Sequence, residues 1–291
     1  MAVSSFFSNL FRPSNAGTWF FFLLNLIFLA TVFGTGRSVE GFLFLLVLYL
    51  LSLALSFSSL GQWMLCLVNG ARRMARIDMR NKALPLVEEI YRAAKRQTPT
   101  LPNRINVRIM YDPTPNAFAI GTNTICLTEG LLDMPDDLIA GVIAHEMGHL
   151  ALQHTIVQIL IGGGNLIISI IMLILEAIRA SLSVGTAAGS IRGGGIFHWF
   201  GIMMMAFCSG MIFLWTKFCM LLLCGSSRAN EYEADAYAYQ IGYGDQLAEA
   251  LDRLTMGTPQ ASLLRILNSS HPLPGDRIGR LQAMGVSYSR F

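Results

Sequence analysis

"AHEMGHLALQHT", residues 144–155, sets histidines and a carboxylate at the edge of a long apolar run. On a helix, positions four apart lie about 40° apart around the axis and about 6 Å apart along it, so His145 and His149 aim their imidazoles at one point. One zinc ion fits there, two imidazole nitrogens being half of a tetrahedral set. Glu146, one residue along, is placed to reach a water on that metal rather than the metal itself, which is the position of a general base. Gly148 costs a helix interior about 1 kcal/mol relative to Ala, so its presence inside HEMGH signals that a close neighbour or the metal loop needs the room.

A metal held by two side chains needs a third ligand. The spacing that would supply a third histidine puts it at residue 155, which is Thr155, while His154 comes one residue early. A carboxylate is then required, and "RANEYEAD", residues 228–235, offers Glu231, Glu233 and Asp235. Glu231 and Asp235 share a helix face, whereas Glu233 points roughly the other way. Glu231 is therefore assigned to zinc, and Asp235 to a hydrogen bond with a histidine ligand that fixes its tautomer. His154 reads as a helix-end residue at an interface.

Hydrophobic residues make up 53% of the 291 and charged ones only 13%, with a mean hydropathy of +0.51. Such a composition excludes an ordinary soluble protein. Four runs without Asp, Glu, Lys or Arg, at 13–36, 41–70, 155–175 and 193–216, are each long enough for the roughly 20 residues that cross a bilayer core. The expectation is four transmembrane helices, the first two over about 15–35 and 41–66. They divide the chain into an N-terminal transmembrane hairpin (1–71), a cytoplasmic part with the HExxH helix (72–154), a second transmembrane hairpin (155–216) and a cytoplasmic part with the third ligand (217–291). The first run exceeds the roughly 7 to 15 residues of a signal-peptide core and reads as a retained anchor.

Arg72, Arg73, Arg76, Arg80 and Lys82 crowd the exit of the second run, which places 72–154 and both termini in the cytoplasm and the loop 176–192 outside. The same cluster anchors to anionic headgroups of the lipid bilayer, and a net charge of +3 calls for no nucleic-acid partner. The five cysteines form no CxxC pair and read as small buried hydrophobes in a reducing compartment.

Within 72–154, "LPLVEEIYRAAKRQ" places Leu86, Val87, Ile90, Tyr91 and Ala94 on one helical face, "INVRIMYD" alternates as a strand, and two short β-prone runs flank Gly121-Thr122-Asn123 as a hairpin. Pro135 falls in the first turn of the HExxH helix, with Asp133 or Met134 as its cap. Pro113 and Pro115 precede "NAFAIG", residues 116–121, which suits an edge strand. Beside the HEMGH helix, that edge would offer the main chain of Asn116, Ala117 and Phe118 to an extended substrate.

HEMGH with R-x-x-E-x-x-A-D (Arg228, Glu231, Ala234, Asp235), preceded by "PNAFAIG" and "TEGLL" and followed by "SSHPLPGDRI", resembles the HtpX family of membrane-bound zinc endopeptidases. Their relatives, the CAAX prenyl endopeptidases, carry the same signature. The resemblance covers essentially the whole chain, with Leu273 where a second consecutive proline is common. It implies a zincin-like (gluzincin) cytoplasmic domain in a mostly helical α+β membrane protein, one Zn2+, and bacterial inner-membrane quality control acting on misfolded or damaged membrane proteins or unfolded polypeptides. In the tail, His271 is either a turn residue or, like Arg277, a cation that approaches the substrate oxyanion. A CAAX-type endopeptidase would use the same residues on a lipidated tail, but that class is built with more than four crossings. A non-catalytic scaffold would favour four protein ligands to its zinc, and only three plus a base are visible.

Overall fold

The computed structural model describes residues 11–17, 39–157, 196–255 and 272–288, with 19–20, 23–24, 27, 159, 174, 177 and 181 as shorter pieces between them. The first and third apolar runs and the loop 176–192 lie largely outside the described residues, as does His271.

The second apolar run is two helices where one over 41–66 is expected: α1 (Val39–Phe57) and α2 (Ser59–Val68). The chain bends by 73° between them. Ser58 leaves the helical conformation (φ −69°, ψ 163°), and its hydroxyl accepts the Gly61 N–H at 3.1 Å, so a serine inside an apolar run caps a new helix. Among the described residues no single helix is long and apolar enough to cross a membrane, but this bent pair is, by length and composition.

Strand β1 (Arg72–Arg73) leads to α3 (Ile77–Gln97), which buries Met79, Ala83, Val87, Ile90 and Ala94 along one face and keeps Pro85 on the exposed side. There its missing N–H leaves a carbonyl that water can satisfy. Strands β2 (Asn106–Met110), β3 (Ala117–Ile120) and β4 (Thr124–Thr128) complete a sheet of order β1-β2-β4-β3. β4 is buried at every residue and runs parallel to β2, while β3 folds back antiparallel through the expected turn, Gly121 taking φ 65°. The prolines before β3 leave it at the edge, as their missing N–H groups require.

A short helix α4 (Glu129–Leu132) is capped by the Thr128 hydroxyl, and α5 (Asp136–Ala151) carries HEMGH. Pro135 is the cap of α5 rather than part of its first turn. Then α6 (Ile196–Gln240), α7 (Gly244–Thr255) and α8 (Pro274–Ala283) close the fold. The boundary expected at 216/217 falls inside α6, whose 45 residues are one helix of roughly 68 Å at 1.5 Å per residue. The fourth apolar run and the segment bearing Glu231 are thus one rod.

Two glycines set the position of α5. A Cβ on Gly141 would lie 2.5 Å from the Gln246 carbonyl carbon and the Leu247 nitrogen of α7, so the two backbones touch. A Cβ on Gly148 would lie 3.0 Å from the Ala234 carbonyl oxygen of α6. The neighbour signalled by the glycine in HEMGH is the helix that carries the third carboxylate.

Candidate active site

The close approach of α5 and α6 brings His145, His149 and Glu231 together. His149 Nε2 is 3.2 Å from His145 Nε2, His145 Nε2 is 3.4 Å from Glu231 Oε2, and His149 Nε2 is 3.5 Å from Glu231 Oε1. Ligands about 2.0–2.2 Å from a tetrahedral zinc stand about 3.3–3.6 Å from one another, so these separations suit a single metal. Two imidazoles and a carboxylate are also a donor set that zinc accepts. His145 and Glu231 are 6% and 4% exposed, so a metal there would be shielded on the protein side.

Behind His145 the expected partner is present: its Nδ1 lies 2.9 Å from Asp235 Oδ1. With the Nδ1 proton donated to Asp235, Nε2 is left bare toward Glu231 and His149. Arg277, on α8, binds Asp235 at two points, Nη2 to Oδ1 at 2.6 Å and Nε to Oδ2 at 2.8 Å, and its Nη1 reaches Glu231 Oε2 at 3.2 Å. It is buried, so its guanidinium is spent on fixing both carboxylates rather than held open to a substrate. Burial works against the Asp235 carboxylate, but Arg277 and His145 hold its pKa below the usual range. Burial and then Arg277 oppose a proton on His145, yet the hydrogen bonds it donates to Asp235 and Glu231 prevail and its pKa is raised to about 9. Two buried carboxylates against one guanidinium leave a demand for positive charge, which a dication meets better than a proton.

Behind His149 stands a chain of contacts that sequence reasoning missed. His149 Nδ1 is 3.0 Å from His154 Nδ1, His154 Nε2 is 3.3 Å from Glu233 Oε2, and Arg12 Nη1 donates to Glu233 Oε2 at 2.8 Å. Glu233 does point away from Glu231, but toward a second face of the same site. α5 does not run on to residue 155: Gln153 adopts φ 64°, ends the helix and turns His154 back onto His149. No glycine or proline marks that break. Burial, mainly, lowers the His154 pKa to about 4 despite Glu233 beside it.

The Glu146 carboxylate points to the sheet edge, where Oε2 accepts the Ala119 N–H at 2.7 Å. That N–H is directed away from β4, and by the period of two so is the N–H of Ala117, which the Asn116 side-chain carbonyl accepts at 2.9 Å. Beside the edge a cavity of about 390 Å³ is lined by Leu55, Met64 and Leu65 from the bent helix pair, by Phe118 and Ile120 from β3, and by Ile159.

The profile of Peptidase family M48 matches residues 81–285. A protein of Neisseria meningitidis serogroup C named Protease HtpX homolog is 30% identical over 200 residues, 61% of this chain and 66% of that one. The chain thus spans just under two thirds of that relative. The Protease HtpX homolog of Tropheryma whipplei is 28% identical over 296 residues, covering 92% of this chain and 96% of the relative. Among solved structures, the crystal structure of S. mikatae Ste24p aligns with a TM-score of 0.50 at 19% identity over 89% of this chain and 61% of that one. That likeness is one of fold.

Proposed function

The chain belongs to peptidase family M48, and from that premise we propose that it is a zinc-dependent endopeptidase of the bacterial inner membrane that cleaves misfolded or damaged membrane proteins on the cytoplasmic side. The observation that carries the reading is the cradle of His145, His149 and Glu231, with donor atoms 3.2 to 3.5 Å apart and the Glu146 carboxylate on the same turn of helix. When bound, zinc would lower the pKa of a water toward about 7 and polarise the scissile carbonyl.

The protein's own groups do the rest. Asp235 holds the proton of His145 on Nδ1 and so keeps Nε2 available. Arg277 pairs with Glu231 and Asp235 at the base of the site and keeps the Asp235 carboxylate ionised. Glu146 takes the proton of the attacking water and passes it to the leaving amine, and the Ala119 N–H orients its carboxylate.

The edge of β3 supports an extended polypeptide as substrate. The outward carbonyls of Ala117 and Ala119, with the Ala117 N–H once the Asn116 side chain releases it, would pair with peptide backbone of many sequences, while the neighbouring cavity takes apolar side chains such as membrane segments supply. Large apolar side chains left exposed, among them Phe44, Leu51, Trp199 and Phe207, support residence in the bilayer. The four crossings and the cytoplasmic placement of the site rest on the apolar runs and on the basic cluster at Arg72–Lys82.

The test is to strip the detergent-purified chain of metal with a chelator, restore zinc, and incubate it with an unfolded soluble protein and an unfolded membrane protein. Cleavage of both only after zinc is returned is expected. Cleavage that persists without metal, or none with it, would overturn the reading.

A further inference from the structure

The residues behind His149 do for that ligand what Asp235 does for His145, by a longer route. An ionised carboxylate only accepts hydrogen bonds, so Glu233, paired with Arg12 at 2.8 Å, requires a proton on the His154 Nε2 that faces it at 3.3 Å. His154 is 1% exposed, and a neutral imidazole carries one N–H, so its Nδ1 is bare and can only accept. The atom 3.0 Å from that bare nitrogen is His149 Nδ1, which must then be the donor. Its proton being on Nδ1, His149 Nε2 keeps its lone pair and faces His145 and Glu231. Reversing any one link would put a proton on His149 Nε2, where the metal belongs.

We propose that Glu233 and His154 are positioning residues that fix the tautomer of His149 for metal binding, with Arg12 holding Glu233 in place. Arg12 stands just before a 3-10 turn at Pro13–Asn15, and the Asn15 side chain accepts from Asn230 at 3.3 Å on the same helix α6. The entry to the first apolar run is thereby fastened to the helix that bears Glu231 and Glu233. This inference rests on the metal reading of the site.

The test measures zinc affinity of the full chain in detergent by chelator competition, with zinc alone as the probe and no substrate present. His154→Leu keeps the volume and removes both hydrogen bonds; it should weaken zinc by about 10- to 100-fold, the range for losing such a support. His154→Gln should restore affinity to within a few-fold, because an amide offers an oxygen to the His149 Nδ1–H and an N–H to Glu233. Glu233→Leu should match His154→Leu, and the double variant should be no weaker than either, since one chain is cut in all three. With cobalt in place of zinc, the visible spectrum should change in the leucine variants and return in His154→Gln. Wild-type affinity in His154→Leu, or a His154→Gln variant as weak as His154→Leu, would overturn the proposal. Absence of metal binding by the wild type would overturn the metal reading, and the proposal with it.

Discussion

Glu231 and Glu233 stand two residues apart on one helix and serve opposite faces of the site, which makes them separable by substitution. Glu231→Gln places a weaker donor among the three ligand atoms and should lower zinc occupancy and activity severely. Glu233→Gln can still turn its amide oxygen to His154 and should lose far less. Metal analysis of the two purified variants checks this, and equal losses would show that the wrong carboxylate was assigned to the metal. The two histidines also predict how the metal-free protein responds to pH. The His145 pKa, raised to about 9, gives stability that is full below about 6.5 and lost as pH rises through 9. The His154 pKa, lowered to about 4, gives stability that is full above about 6.5 and lost as pH falls toward 4. Melting of the metal-free chain should therefore peak near pH 6.5, and zinc should abolish the alkaline decline because the proton on His145 is replaced.

The packing of α5 is the element on which the site depends. Gly141→Ala drives a methyl into the backbone of α7 and should destabilise the protein by roughly 1–3 kcal/mol, more than the roughly 1 kcal/mol of helix propensity returned. Gly148→Ala meets Ala234 at 3.0 to 3.3 Å, so a small displacement of α6 absorbs it, and the residue of the proposed metal site that moves with it is Glu231. Denaturant melts should rank Gly141→Ala as the less stable, while chelator competition should find the larger loss of zinc affinity in Gly148→Ala. On β3, Ala117→Pro removes an outward N–H without touching the ladder to β4, and should raise KM or abolish cleavage while zinc content and Tm stay near wild type. Unchanged cleavage of an unfolded substrate in that variant would place the peptide elsewhere.

Across the whole molecule, what the sequence makes legible follows from period. The four-residue spacings of HEMGH and of Glu231 with Asp235 mark two helix faces that must meet, and the hairpin and edge position of β3 follow from Gly121 and the prolines before it. The hidden features are those that break period without a usual breaker residue: the 73° bend capped by Ser58, and the left-handed Gln153 that turns His154 inward. The role of Arg277 is hidden for another reason, since nothing local marks a tail arginine as the partner of Asp235, 42 residues earlier. The continuity of α6 bears on topology, because it ties the side of the membrane reached by the fourth apolar run to the side that holds Glu231. Cysteines placed in the loop 176–192 should be labelled from outside and one near Arg80 only from the cytoplasm; labelling of the loop from the cytoplasm would make the third and fourth apolar runs an interfacial hairpin. The central claim is that a metal held by His145, His149 and Glu231 works with Glu146 as the base. Zinc content and cleavage of an unfolded substrate, measured on one preparation of Glu146→Gln, test it most directly. Zinc near one per chain with cleavage lost by several orders of magnitude is predicted, and full cleavage in that variant would contradict the account.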